Sequence, residues 1–175
     1  VKDNKVAWHA GKSKWKNFKN LNENSIGIEL VNKGHEFGYQ NFSNAQITSL
    51  INLCRILKKK YMIKKENFLG HSDIAPLRKL DPGEKFPWKK LSRYKIGYWC
   101  GKSKVKLKLN EKENLKDLFF KNLNKIGYRY FQLSKRVKKD KFIIKAFQQH
   151  YLPNHITGKI DQKTFKICYF LAKVV

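Results

Sequence analysis

Apolar and polar residues alternate through Ser25-Ile26-Gly27-Ile28-Glu29-Leu30-Val31, which predicts a strand with Ile26, Ile28 and Leu30 on one face. Glu29 falls on the other face beside Gly27, and a glycine there clears room for something that must approach closely. Ser43-Asn44-Ala45-Gln46 then has the form of a capping box. Ile47, Leu50, Ile51, Cys54 and Leu57 follow it at helical spacing, so a helix of about four turns is expected, ending near Tyr61. Phe68-Leu69-Gly70 reads as a short buried strand with His71 at its end, where open sheets place their chemistry. Strand, helix and strand in this order predict an α/β (α+β) fold with a mixed sheet over residues 1–95.

The pattern lapses from Pro87 to Asn110, and residues 96–111 read as a linker with a short extended piece in which lysines alternate with Val105 and Leu107. Beyond it, Leu115, Leu118, Phe119, Leu123 and Ile126 mark a helix that Gly127 can terminate. Phe142, Ile143, Ala146 and Phe147 mark a second. A third starts at Asp161, a plausible N-cap, and carries Phe165, Cys168, Leu171 and Ala172. Residues 112–175 are therefore expected to form a small three-helix domain.

Composition narrows the classes. A chain of 175 residues that is 41% hydrophobic can bury a core, and no run of about eighteen apolar residues marks a membrane span. Thirty-nine Lys and Arg against thirteen Asp and Glu give a net charge of +26, spread along the whole chain, which favours anionic partners in general. No nucleic-acid module accompanies that charge, so nucleic acid is not the expected partner. Cys54, Cys100 and Cys168 are too few and too far apart for a disulfide framework or a thiolate zinc site, and Cys54 and Cys168 fall at apolar helix positions.

The chemistry concentrates in Gly70-His71-Ser72-Asp73-Ile74-Ala75-Pro76 and the Lys79-Leu80-Asp81-Pro82-Gly83 that closes it. His71 and Asp81 both suit zinc, and Pro76, Pro82 and Gly83 stiffen the segment between and after them. Taken alone, His71 ending a strand and Asp81 opening a turn before Pro82 is the more ordinary reading.

Four segments in order change that balance: Ala7-Trp8-His9-Ala10-Gly11; Asn22 with Ser25-Ile26-Gly27-Ile28-Glu29; Gly70 through Pro76; and Arg78-Lys79, Asp81-Pro82-Gly83 and Phe86-Pro87-Trp88. Together they resemble the zinc-dependent N-acetylmuramoyl-L-alanine amidase family of the AmpD/AmiD type. Residues from Leu115 and Gly127-Tyr128 through Phe147-Gln148 to Gly158, Asp161 and Thr164 resemble a peptidoglycan-binding three-helix module. The resemblance implies a Zn2+ cofactor with His71 and Asp81 as two ligands, Glu29 as the catalytic carboxylate and Lys79 as a stabiliser of the reacting carbonyl. Trp8, His9, Asn22 and Arg78 are expected to contact substrate. The family's first zinc ligand, a His on an early strand, is expected upstream of Val1, which would make the amidase domain N-terminally incomplete; His9 is a weaker candidate for that role. Hydrolysis of the amide between N-acetylmuramic acid and L-alanine is the implied activity, with a catalytically impaired peptidoglycan-binding protein as the alternative. Peptidoglycan or muropeptides are the implied partners, a monomer the expected state, and the periplasm or cell envelope the implied location.

Overall fold

The computed structural model describes residues 1–2, 4–100 and 114–175. Its longest helix, α1 (Asn44–Lys60), begins as the sequence predicts. Ser43 Oγ accepts from the Gln46 N–H at 3.1 Å, while the Gln46 side chain accepts from the Ser43 N–H at 2.9 Å, so two of the first-turn donors are satisfied. Lys58, Lys59 and Lys60 occupy the last turn, where cations complement the helix dipole. The buried stripe Ile47, Leu50, Ile51 and Cys54 packs against Phe86, Trp88, Leu91 and Ile96, which come from α3 (Trp88–Ser92) and its flanks. Between them lies α2 (His71–Ile74), a single turn.

The only sheet among the described residues is a two-stranded ribbon, β1 (Lys14–Trp15) paired antiparallel with β2 (Phe18–Lys19). The molecule is thus a mixed helix and small-sheet structure, of α+β character. The strand predicted over Ser25–Val31 joins no ladder, and neither does Phe68–Gly70. A strand is stabilised by pairing its backbone groups across a sheet, and no partner strand lies beside either segment among the described residues. Consequently Ile26 and Ile28 stay exposed in place of facing a core.

Three helices follow in the C-terminal stretch: α4 (Leu115–Ile126), α5 (Asp140–Tyr151) and α6 (Gln162–Val174). Gly127, with φ +141°, ends α4, and Asp161 caps α6 by accepting from the Thr164 N–H at 2.8 Å. The α5–α6 connection is organised by Gln148, whose amide nitrogen donates to the Lys159 carbonyl and the Thr164 hydroxyl, both at 3.0 Å, and whose carbonyl accepts from Gly158 N–H at 2.8 Å.

The packing crosses the boundary drawn from the sequence. Ala10, Trp15, Leu21 and Cys100 belong to the same buried cluster as Phe119, Leu123, Phe147 and Leu171. Trp15 meets Tyr128 edge-on at 5.0 Å, and the Lys16 N–H donates to the Gly127 carbonyl at 2.8 Å. The approach is so close that a Cβ on Gly127 would stand 2.5 Å from the Trp15 ring. Helix α5 is buried around most of its circumference: it packs against α2, its Phe147 meets Phe119 of α4, and its Gln148 bonds Thr164 of α6. Ile96 and Cys100, at the start of the predicted linker, are buried, and Tyr98 donates to the Val174 carbonyl at 2.8 Å. The remainder of that linker, residues 101–111, lies outside the described residues. All three cysteines are free and buried.

Trp15 fills a joint between the ribbon and the C-terminal helices, so Trp15→Ala is expected to destabilise the chain by about 3–5 kcal/mol. In urea unfolding, the helical signal by circular dichroism and the remaining tryptophan fluorescence should shift together. Separate transitions, with only one of them moved, would show that the two parts are energetically independent.

Candidate functional site

Helix α2 puts His71 at its first position. Gly70 precedes it in extended conformation, and only a glycine fits there, since a Cβ would stand 2.6 Å from Cδ of Pro82. The Ser72 N–H donates to the Asp81 carbonyl at 2.8 Å, which folds the Asp81 backbone back onto the turn. As a result His71 Nδ1 and Asp81 Oδ2 face each other at 3.1 Å. Two donors each about 2.0–2.1 Å from a tetrahedral zinc stand about 3.3 Å apart, so the pair already has nearly the separation that ion takes. The other ring nitrogen, Nε2, lies 3.1 Å from the Ala10 carbonyl and donates to it, an arrangement typical of metal-binding histidines.

The Ala10 carbonyl is itself held in place. Asn22 Oδ1 accepts from the backbone N–H groups of His9, Ala10 and Gly11 at 3.1, 2.7 and 3.1 Å. The Arg78 guanidinium donates to the Ala10 carbonyl and, through Nε, to the Lys12 carbonyl at 3.1 Å. Asn22 and Arg78, expected at the substrate, instead build the loop on which His71 rests. His9 is engaged at both ring nitrogens, with Nδ1 2.8 Å from the Ala7 carbonyl and Nε2 2.8 Å from Ser25 Oγ. Its ring also explains Gly27: a Cβ there would come within 2.5 Å of it. What approaches that glycine is a side chain of this chain.

Charge around the pair is arranged to keep Asp81 ionised. Partial burial opposes ionisation, but the hydrogen bond and charge of His71, with the nearby Lys79 ammonium, outweigh it and hold the carboxyl below its usual range. His71 and Asp81 thus stand together, with Lys79 close enough to act on the carboxylate. Tyr39 braces the far side of the loop, donating to the Pro82 carbonyl at 2.6 Å and accepting from the Lys85 N–H at 3.0 Å. Burial pushes its hydroxyl up to about 12, so it stays protonated in that role.

The other predicted residues stand apart. Trp8 is 91% exposed. Glu29 makes no hydrogen bond or ion pair among the described residues; it lines an open groove of about 480 Å³ between Ile28–Val31 and the Ala45–Leu53 part of α1. No group of three His, Cys, Asp or Glu side chains able to hold a metal occurs among the described residues. The donor pair thus fits zinc, but a catalytic zinc takes three protein ligands and these residues supply two.

His35 pairs with Glu84 at 3.0 Å across 49 residues of chain, and His155 with Asp161 at 2.5 Å within its own connection. His150 is different. It is buried, and its Nδ1 lies 2.7 Å from Oδ2 of Asp73, two positions after His71. No spacing within the chain signals a partner 77 residues away.

Residues 1–84 match the family model described as N-acetylmuramoyl-L-alanine amidase. The N-acetylmuramoyl-L-alanine amidase AmiD of Escherichia coli (strain K12) is 36% identical over 172 residues, covering 94% of this chain and 62% of the relative. The 1,6-anhydro-N-acetylmuramyl-L-alanine amidase AmpD of Haemophilus influenzae is 41% identical over 91 residues, 51% of this chain and 47% of its own length. The chain therefore spans less than two thirds of these curated relatives. Among solved structures, E. coli AmiD in complex with the substrate anhydro-N-acetylmuramic acid-L-Ala-D-gamma-Glu-L-Lys superposes with a TM-score of 0.86 at 34% identity, covering 99% of this chain and 71% of that one. AmpDh3 of Pseudomonas aeruginosa gives 0.85 at 30% identity, with the same coverage. With likeness of that extent running through both the His71–Asp81 region and the C-terminal helices, the chain belongs to the N-acetylmuramoyl-L-alanine amidase family.

Proposed function

We propose that this chain acts in an N-acetylmuramoyl-L-alanine amidase, a hydrolase that cuts the amide between N-acetylmuramic acid and L-alanine in peptidoglycan or its fragments. The observation that carries the reading is the His71 Nδ1 and Asp81 Oδ2 pair at 3.1 Å, with the opposite ring nitrogen tied to the Ala10 carbonyl. His71 and Asp81 would hold Zn2+ together with a third donor from outside the described residues. Bound zinc lowers the pKa of a coordinated water and polarises an amide carbonyl.

The chain's own groups supply the rest. Glu29 takes a proton from the attacking water and returns it to the alanine nitrogen as the C–N bond breaks, a role worth about 10²–10⁴ in rate. The Lys79 ammonium offsets negative charge gathering on the former carbonyl oxygen, and loss of one such partner costs about 10²–10³ in kcat. Trp8, with its indole in solvent, offers an apolar face to the muropeptide. The C-terminal helices hold peptidoglycan near the site, which raises its effective concentration. The high positive charge suits an anionic polymer, and the periplasm or cell envelope is where such a substrate is met. The protein acts as a monomer.

Zinc content and peptide release from a purified anhydromuropeptide test this together. One zinc per chain with release of the peptide is expected, and Lys79→Met should lower kcat by about 10²–10³ while leaving zinc content unchanged. Binding to sacculi without zinc and without release would instead make the protein a peptidoglycan-binding relative that has lost catalysis.

A pH titration examines the donor pair separately. A carboxyl whose folded pKa lies below its unfolded value, about 3.9 for Asp, contributes stability above that value and loses it as pH falls through the folded pKa. The Asp81 carboxyl followed by 13C NMR should titrate below about 3.9, and in His71→Ala its midpoint should rise. An unchanged midpoint would remove His71 as a partner.

A further inference from the structure

Asp73 is the third residue of α2 and its side chain is excluded from water. Its Oδ2 accepts from the Gly70 N–H at 2.8 Å and from His150 Nδ1 at 2.7 Å, while Oδ1 accepts from the Tyr128 hydroxyl at 2.5 Å. One donor belongs to the residue before His71. The other two come from the C-terminal part, Tyr128 just after α4 and His150 in the last turn of α5. The His150 ring is fixed in turn, stacked on Trp88 at 3.9 Å and on Tyr151 at 4.1 Å. Burial raises the Tyr128 hydroxyl well above its ordinary pKa, and the Asp73 charge adds to the effect, so it remains a donor.

A one-turn helix has no stability of its own, and α2 is placed by what holds its ends. On one side of His71 the Gly70 N–H is tied to Asp73; on the other the Ser72 N–H is tied to the Asp81 carbonyl. The Asp73 carboxylate therefore sits between the backbone that carries His71 and two donors on the C-terminal helices. We propose that His150 and Tyr128 are positioning residues for the metal-donor pair, holding α2 through Asp73 so that His71 Nδ1 faces Asp81 Oδ2. The purpose of the pair rests on the amidase reading, whereas the contact between its two members does not. On this view the C-terminal helices do more than retain polymer: they help to build the site in the other half of the chain.

Three variants of the full chain test it, with histidine labelled with 15N and zinc alone as the added ligand. His150→Leu removes the donor, His150→Asn keeps an N–H close to where Nδ1 stands, and Tyr128→Phe removes only the hydroxyl. In His150→Leu and Tyr128→Phe the His71 ring 15N signals of the metal-free chain should move towards those of a solvent-exposed imidazole, and zinc affinity should fall about 10–100-fold. His150→Asn should stay close to the unsubstituted chain in both. The proposal is overturned if the Leu and Phe variants keep their helical circular dichroism and leave the His71 signals unchanged, or if Asn is as impaired as Leu, which would make the role one of packing. Should His150→Leu fail to fold, Tyr128→Phe decides. If the unsubstituted chain holds no zinc, the amidase reading fails and the metal-free ring signals alone decide the positioning role.

Discussion

The buried carboxylate of Asp73 constrains more of this structure than any other single group. A charge removed from water must find its hydrogen-bond donors inside the protein, and the cost of leaving it short is large. Here the donors are the Gly70 N–H, His150 and Tyr128, which lie in three places far apart in the chain. Satisfying one carboxylate therefore fixes the start of α2, the end of α5 and the turn after α4 relative to one another. The apolar contacts around it, Trp15 on Tyr128 and Trp88 on His150, then pack against a geometry whose polar part is already specified. Directional bonds choose the arrangement, and the non-directional burial of the aromatic rings stabilises it.

What the sequence makes legible is what neighbours in the chain decide. The Ser43 capping box, the Gly127 stop and the Asp161 cap each involve residues within about four positions, and each is found where the pattern placed it. The His71–Asp81 pair is legible for a related reason, because a short connection with Pro76 inside it and Pro82-Gly83 directly after it leaves few ways to run. Ser25–Val31 shows the limit. Alternation describes which face each side chain would take, but a strand exists only where another segment pairs with it, and that lies beyond local pattern. The family resemblance puts Asn22 and Arg78 at the substrate, and Gly27 reads as clearing room for a close approach. In the structure all three are occupied by contacts within the chain: Asn22 and Arg78 hold the loop at Ala10, and the His9 ring lies against Gly27. Long-range hydrogen bonds to backbone groups leave no periodic trace, and His150 with Asp73 is the extreme case.

These inward-facing contacts divide the site into a fixed half and an adaptable half. His71 has both ring nitrogens engaged and a side chain only 18% exposed, and the carbonyl beneath it is gripped by the loop that Asn22 organises and by Arg78. Asp81 has a side chain 58% exposed, with the Lys79 ammonium nearby in place of a second buried partner. An imidazole that cannot rotate sets the direction of a bond to any third party, while an open carboxylate can adjust its distance and denticity. The stiffness of the first depends on backbone that runs from Asn22 to α5, so a change deep in the C-terminal helices acts on the site by tilting His71. Asp81, held by its backbone to Ser72 and at its exposed tip by His71, absorbs the smaller displacements. Accuracy at such a pair thus resides in the least accessible residues, and tolerance in the most accessible one.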